Sequence, residues 1–199
     1  MAATENIMHI GTERAGMLLF DAAKEGYLEV VRAILERYGD LVNAENAGRA
    51  LSGAAYRGHL EVVRVLLERY GDVIVAVAAG RALRQAVDRG HLEVVRELVQ
   101  RFGDLVNAMD AGRALRHAAL EVHQEVVLLL LERYGDIISA EAAGAALRNA
   151  ARRGHLEVAR VLYERYGGII GEDVRAIVMR RWPELESDDL GPKSAAKLR

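Results

Sequence analysis

The chain has 199 residues, 51% of them apolar but only 5% aromatic, with no cysteine and a formal net charge of −2. That balance suits a soluble core of Ala, Val and Leu and excludes a disulfide framework, a thiolate zinc site and a membrane span, because no apolar run, Val126 to Leu131 included, comes near the roughly 20 residues a span needs. No apolar stretch precedes Glu5 and Glu13 to form a secretory leader, so a cytoplasmic setting is expected.

In chain order, residues 1–25 are expected to form an N-terminal cap, with Leu18, Leu19, Ala22 and Ala23 on its inner face. A segment clearest as GHLEVVRVLLERYGD at 58–72 then returns at a 32-residue step marked by Gly26, Gly58, Gly90, Val122 and Gly154. A fixed step without insertion signals a repeat array, whose units bury their apolar faces only by stacking on neighbours. The unit from Gly80 to Ala111 shows the pattern. Leu83, Ala86 and Val87 lie at helical spacing and Gly90 ends that first helix, since glycine reaches positive φ without steric cost. A second helix over about 91–102 carries the stripe Leu92, Val95, Leu98, Val99 and Phe102, and Gly103 is read as its stop.

The connectors leave two readings open. Residues 139–147 are strong helix formers behind a candidate N-cap, Ser139, with Asn43 and Asn107 at the same place in their units, which predicts first helices that begin early. Against this, Gly48, Gly80, Gly112 and Gly144 would each cost roughly 1 kcal/mol inside a helix, which favours a β-hairpin in the connector, with strands at 73–78 and 105–110. The longer helix is favoured here.

The fourth unit departs most. Val122 stands where the other units have Gly, and a β-branched residue should refuse positive φ, so a locally different turn is expected. In the same unit Leu128 replaces an exposed arginine, and Val122 with Leu128 forms a secondary candidate contact patch. Residues 172–183 read as a C-terminal capping helix closed by Trp182-Pro183, with Trp182 sealing the core. Residues 184–199 are charged and aperiodic and are expected to be disordered.

The residues A-L-x-x-A-A-x-x-G-H-L-E-V-V-x-x-L-L-E, best met by Leu51, Ala54, Ala55 and 58–71 and by Leu147, Ala150, Ala151 and 154–167, resemble the ankyrin repeat over about 17–168. The family's Thr-Pro-Leu-His start is missing, reading Arg-Ala-Leu-Ser at 49–52 and Arg-Ala-Leu-Arg at 81–84. With the helix patterns, the resemblance implies an all-α, right-handed solenoid of stacked helix–turn–helix units over residues 1–183, with repeats to about 171. It also implies a concave first-helix face that receives protein partners, and a structural turn role for His59, His91 and His155. Stacked helices lie roughly 10 Å apart, so those imidazoles cannot share a zinc whose bonds are about 2.0–2.1 Å.

Functional candidates follow from variation between units, since framework positions repeat because they pack. The variable first-helix positions are Gly53, Gln85, His117 and Asn149, then Tyr56, Asp88, Leu120 and Arg152 three residues on. Arg49, Arg81 and Arg113 lie one turn earlier and favour an acidic partner. No phosphate loop, nucleophile elbow, paired acid set, cofactor motif or metal-ligand pattern is present, so a non-enzymatic protein-binding module is expected. Two alternatives are a self-associating scaffold and a nucleic-acid backbone binder, the second disfavoured by the carboxylates interleaved with every Arg row. A monomer or weak homo-oligomer is the expected state. Lys24, Lys193 and Lys197 are the only lysines, and an Arg-rich, Ala-rich chain of this regularity fits a coding or design bias.

Overall fold

The computed structural model describes residues 2–186. They form eleven α-helices and two short 3-10 turns, with no strand among the described residues. Contacts divide the chain into two compact units, Met1–Val106 and Asn107–Arg199. The first holds three helix pairs: α1 (Ala2–Glu25) with α2 (Leu28–Tyr38), α3 (Ala44–Arg57) with α4 (Leu60–Tyr70), and α5 (Ala76–Asp88) with α6 (Leu92–Phe102). Within it α1, α3 and α5 pack in one row and α2, α4 and α6 in another. The second unit holds α7 (Ala108–Glu121) with α8 (Gln124–Tyr134), α9 (Ala140–Arg153) with α10 (Leu156–Tyr166), and α11 (Glu172–Arg181), which packs on α9.

The early start of the first helices is what the connector chemistry dictates. Asn43 Oδ1 accepts from the backbone N–H of Asn46 at 2.8 Å, Asn107 Oδ1 from Asp110 at 2.9 Å and Ser139 Oγ from Ala142 at 3.2 Å, the geometry of a side-chain N-cap. Val75 begins α5 without such a bond. The strand alternative is thereby excluded, since 76–78 and 108–110 are helical. The helical glycines serve close approach. A Cβ added at Gly48 would lie 2.6 Å from Ala78 Cβ, and one at Gly112 would lie 2.7 Å from Ala142 Cβ, so glycine lets these first helices pack nearer than Ala would allow.

The turns inside the pairs need glycine twice over. Gly26 and Gly58 sit at φ +76° and +78°, and at each the imidazole of the next pair lies where a Cβ would go, 2.6 Å from it. Those rings bond backbone: His59 Nε2 meets the Lys24 carbonyl, and His91 Nε2 the Tyr56 carbonyl, both at 3.1 Å. The carbonyls accept, so Nε2 carries the proton. Histidine is here a structural tie between consecutive pairs.

Val122 corrects one expectation. Its turn is not different: Val122 takes φ 66°, ψ 26°, the same left-handed conformation as the glycines. The helices on either side impose the turn, and the β-branched side chain bears the strain. His155 makes no carbonyl bond of the His59 kind among the described residues, in keeping with a real Cβ where the other imidazoles lie. Val122→Gly is expected to raise stability by about 1 kcal/mol, the relieved strain outweighing the glycine's unfolded-state entropy. A denaturant midpoint that falls on this substitution would show the turn to be unstrained.

Gly103 caps α6, as its place after Phe102 predicts, and it does so without a positive φ. Gly39, Gly71, Gly103, Gly135 and Gly167 are all right-handed. Packing explains them. Tyr70 Oη donates to the Gly39 carbonyl at 3.0 Å while Arg69 pairs with Asp40, and Tyr166 Oη donates to Gly135 at 2.9 Å while Arg165 pairs with Asp136 at 2.8 Å. Arg101 pairs with Asp72, but Phe102 lacks the hydroxyl. The recurring Arg-Tyr of one pair thus latches onto the Gly-Asp of the pair before it. Burial raises the Tyr70 phenol above its ordinary value of 10.0, with Arg69 acting the other way.

The ends differ from each other. In α1, Leu19, Ala22 and Ala23 are buried as expected, but Leu18 is 47% exposed and Val30 on α2 is 49% exposed, although Val62 and Val94 at its place in α4 and α6 are buried. At the other end Val174, Val178 and Trp182 are buried, and Arg175 Nη2 donates to the Gly167 carbonyl at 2.6 Å. Order continues past the expected limit at 183: residues Pro183–Glu186 form a 3-10 turn with Leu185 fully buried. The rest of the expected disordered tail, 187–199, lies outside the described residues.

Candidate functional site

In the first unit the first-helix face is formed by α1, α3 and α5, whose buried Leu19, Leu51 and Leu83 hold the helices in register. Arg49, Gly53, Tyr56, Arg81 and Gln85 converge there on one open cleft of about 310 Å³. Arg49 and Arg81 are exposed, and Gly53, Tyr56 and Gln85 are half-buried. Asp88 follows Gln85 by three residues on α5, half-buried, and does not line the cleft.

Three lining residues escaped the sequence reading: Phe20 and Lys24 from α1, and Ser52. Phe20 occupies the register position that holds Ser52 in α3 and Arg84 in α5, a row that the choice of variable positions left out. Ser52 is buried and donates to the Gly48 carbonyl at 2.8 Å, a structural bond. Arg49 lies over the Phe20 ring, 5.6 Å from its centroid, and Arg89 over the Tyr56 ring at 4.3 Å. These contacts fix both rings.

In the second unit the predicted residues are less concentrated. Arg113 lines a cleft of about 350 Å³ with Gly112, Arg116, Ser139, Glu141 and Ala142, and stands 3.9 Å from Asp110. His117, Leu120 and Asn149 are half-buried and Arg152 is exposed, but none of them lines that cleft. Asn149 Nδ2 donates to the Arg116 carbonyl at 3.4 Å, so its amide also ties α9 to α7. Val122 and Leu128 of the secondary patch are 48% and 45% exposed, one in a turn and the other on α8.

The outward side of the second helices is self-neutralised. Arg64 donates to Glu97 at 2.6 and 2.8 Å and to Glu61 at 2.9 Å, and the Glu97 bond holds its guanidinium still further above the ordinary range. Among the described residues no three His, Asp or Glu side chains gather to hold a metal ion, and no helix is long and apolar enough to cross a membrane. No protein-family model and no curated protein matches the chain.

Proposed function

We propose that the chain is a non-enzymatic, ankyrin-like interaction module, its pairs stacked as a right-handed solenoid, that binds a protein partner through its variable first-helix face. One observation carries the reading. Gly53, Tyr56 and Gln85, picked out because they differ between units, line a single cleft with Arg49 and Arg81 of the arginine row one turn earlier, while the constant Leu51 and Leu83 beside them are buried. Positions released from packing and gathered on one concavity are what a recognition surface requires. The cationic rim favours an acidic partner. A cytoplasmic setting goes with this reading.

The test is capture from a proteome with the chain as bait, followed by titration of the purified partner. Tyr56→Ala is expected to weaken binding by about 2 kcal/mol as a buried aromatic anchor. Arg96→Ala serves as the outward-facing control, its guanidinium standing 3.8 Å from Glu93 on its own helix. Arg64 is unsuitable because it ties α4 to α6 through Glu97. A control that weakens binding beside a silent Tyr56→Ala places the interface elsewhere. The exposure of Val122 and Leu128 favours a second reading, weak self-association, which a mass that rises with concentration and falls with Leu128→Arg would support.

A further inference from the structure

We propose that the cleft at Gly53 seats one apolar side chain of an acidic peptide segment, with Lys24, Arg49 and Arg81 pairing with carboxylates that flank it. This rests on the first-helix face being the partner surface and specifies the chemistry that the face selects.

Gly53 is the starting point. Its backbone does not need glycine, since among the described glycines positive φ occurs only at Gly26, Gly58, Gly90 and Gly154, and a mid-helix glycine costs roughly 1 kcal/mol relative to Ala. Packing does not demand it as at Gly48 either. A Cβ at 53 would meet only the edge of the Phe20 ring, Cε2 at 3.1 Å, and Lys24 Cβ at 3.4 Å, whereas one at Gly48 would run into the Ala78 methyl at 2.6 Å. What the missing side chain does is open the floor between Phe20 and Tyr56. The other units fill this position with Gln85, His117 and Asn149.

Size and polarity then choose the occupant. The cleft, about 310 Å³, lies at the bottom of the roughly 300–1,000 Å³ range of small-molecule sites, so it suits a single large side chain better than a cofactor. Its walls are the two aromatic rings and the Lys24 stem, and its charged groups are three cations with no carboxylate among the lining residues. None of Lys24, Arg49 and Arg81 makes an ion pair among the described residues, in contrast to Arg64, Arg69, Arg101 and Arg165 on the second helices. Uncompensated cations around an apolar floor favour an apolar residue between acidic neighbours. Stacking of a nucleic-acid base is disfavoured because a guanidinium already lies over each ring, Arg49 on Phe20 and Arg89 on Tyr56.

The test uses the full chain and labelled short peptides of Glu and Ser with one central Phe, against versions with Phe replaced by Ala and with Glu replaced by Lys, and a single-stranded oligothymidylate. The Glu/Phe peptide is expected to bind, with affinity falling as salt rises. The Ala version, the Lys version and the Gly53→Leu variant should each weaken binding by about tenfold or more. Circular dichroism checks the fold of Gly53→Leu, and the double variant Arg49→Glu, Arg81→Glu provides the same loss should Gly53→Leu not fold. No binding of the Glu/Phe peptide at its solubility limit, equal binding of the Lys version, or tighter binding of the oligonucleotide overturns the proposal. A captured protein partner that is sensitive to Tyr56→Ala but indifferent to Gly53→Leu would leave the face as the binding surface and remove only the acidic-peptide assignment.

Discussion

Truncating Leu66 or Leu98 to Ala is expected to lower the unfolding free energy by about 2–5 kcal/mol, with Arg96→Ala close to silent. Both leucines are fully buried, on α4 and α6, while Arg96 is exposed on the same helical row. Leu66 carries the larger expectation. Helix α4 packs on α2, α3 and α6, so a methyl-lined void at Leu66 opens where several helices meet and none can collapse without shifting its own contacts. Urea denaturation of the three variants decides it. Equal losses for the leucines and Arg96 would mean that the second helices face the other way.

The second large effect is expected at Gly58. Gly58→Val should cost about 2–4 kcal/mol, combining left-handed strain in a β-branched residue with loss of the His91 bond to the Tyr56 carbonyl. Gly58 sits at φ +78°, and the His91 ring lies within 2.6 Å of where the new Cβ must go. Val122 shows that the turn conformation itself survives valine, so the variant should fold, less stably and with the imidazole displaced. The histidine resonances of wild type and variant provide the second readout. A loss below about 1 kcal/mol with an unmoved His91 would show that neither strain nor the imidazole tie matters.

The helix pairs and their early starts were legible because they depend on local chemistry: Asn43, Asn107 and Ser139 cap backbone N–H groups three residues on, and no partner is needed to see it. The helical glycines were misleading for the opposite reason. The cost of Gly48 is local, but its purpose, admitting Ala78, lies on another helix. The same holds for Gly39 and Gly135, whose right-handed backbone presents a carbonyl to Tyr70 and to Tyr166 on another helix. Val122 was judged by its own preference, and the flanking helices overrode it. At the candidate site, variation between units found Gly53, Tyr56 and Gln85, and charge one turn earlier found Arg49 and Arg81, but both missed Phe20, which comes from the cap and reaches the cleft only because Gly53 leaves room for it.

The latch of Arg-Tyr onto Gly-Asp gives each pair a direction. Arg37 and Tyr38 on α2 repeat the donor half, with Arg37 making no ion pair among the described residues. At α10 the acceptor half is dismantled: Gly168 replaces the aspartate, and Arg175 already holds the Gly167 carbonyl. A helix pair ending in Tyr-Gly-Asp and grafted ahead of α1 would therefore meet a waiting guanidinium and phenol, and the same pair grafted behind α10 would meet neither. The donor half is thus unused at α2 in the first unit, and the acceptor half is already occupied after α10 in the second.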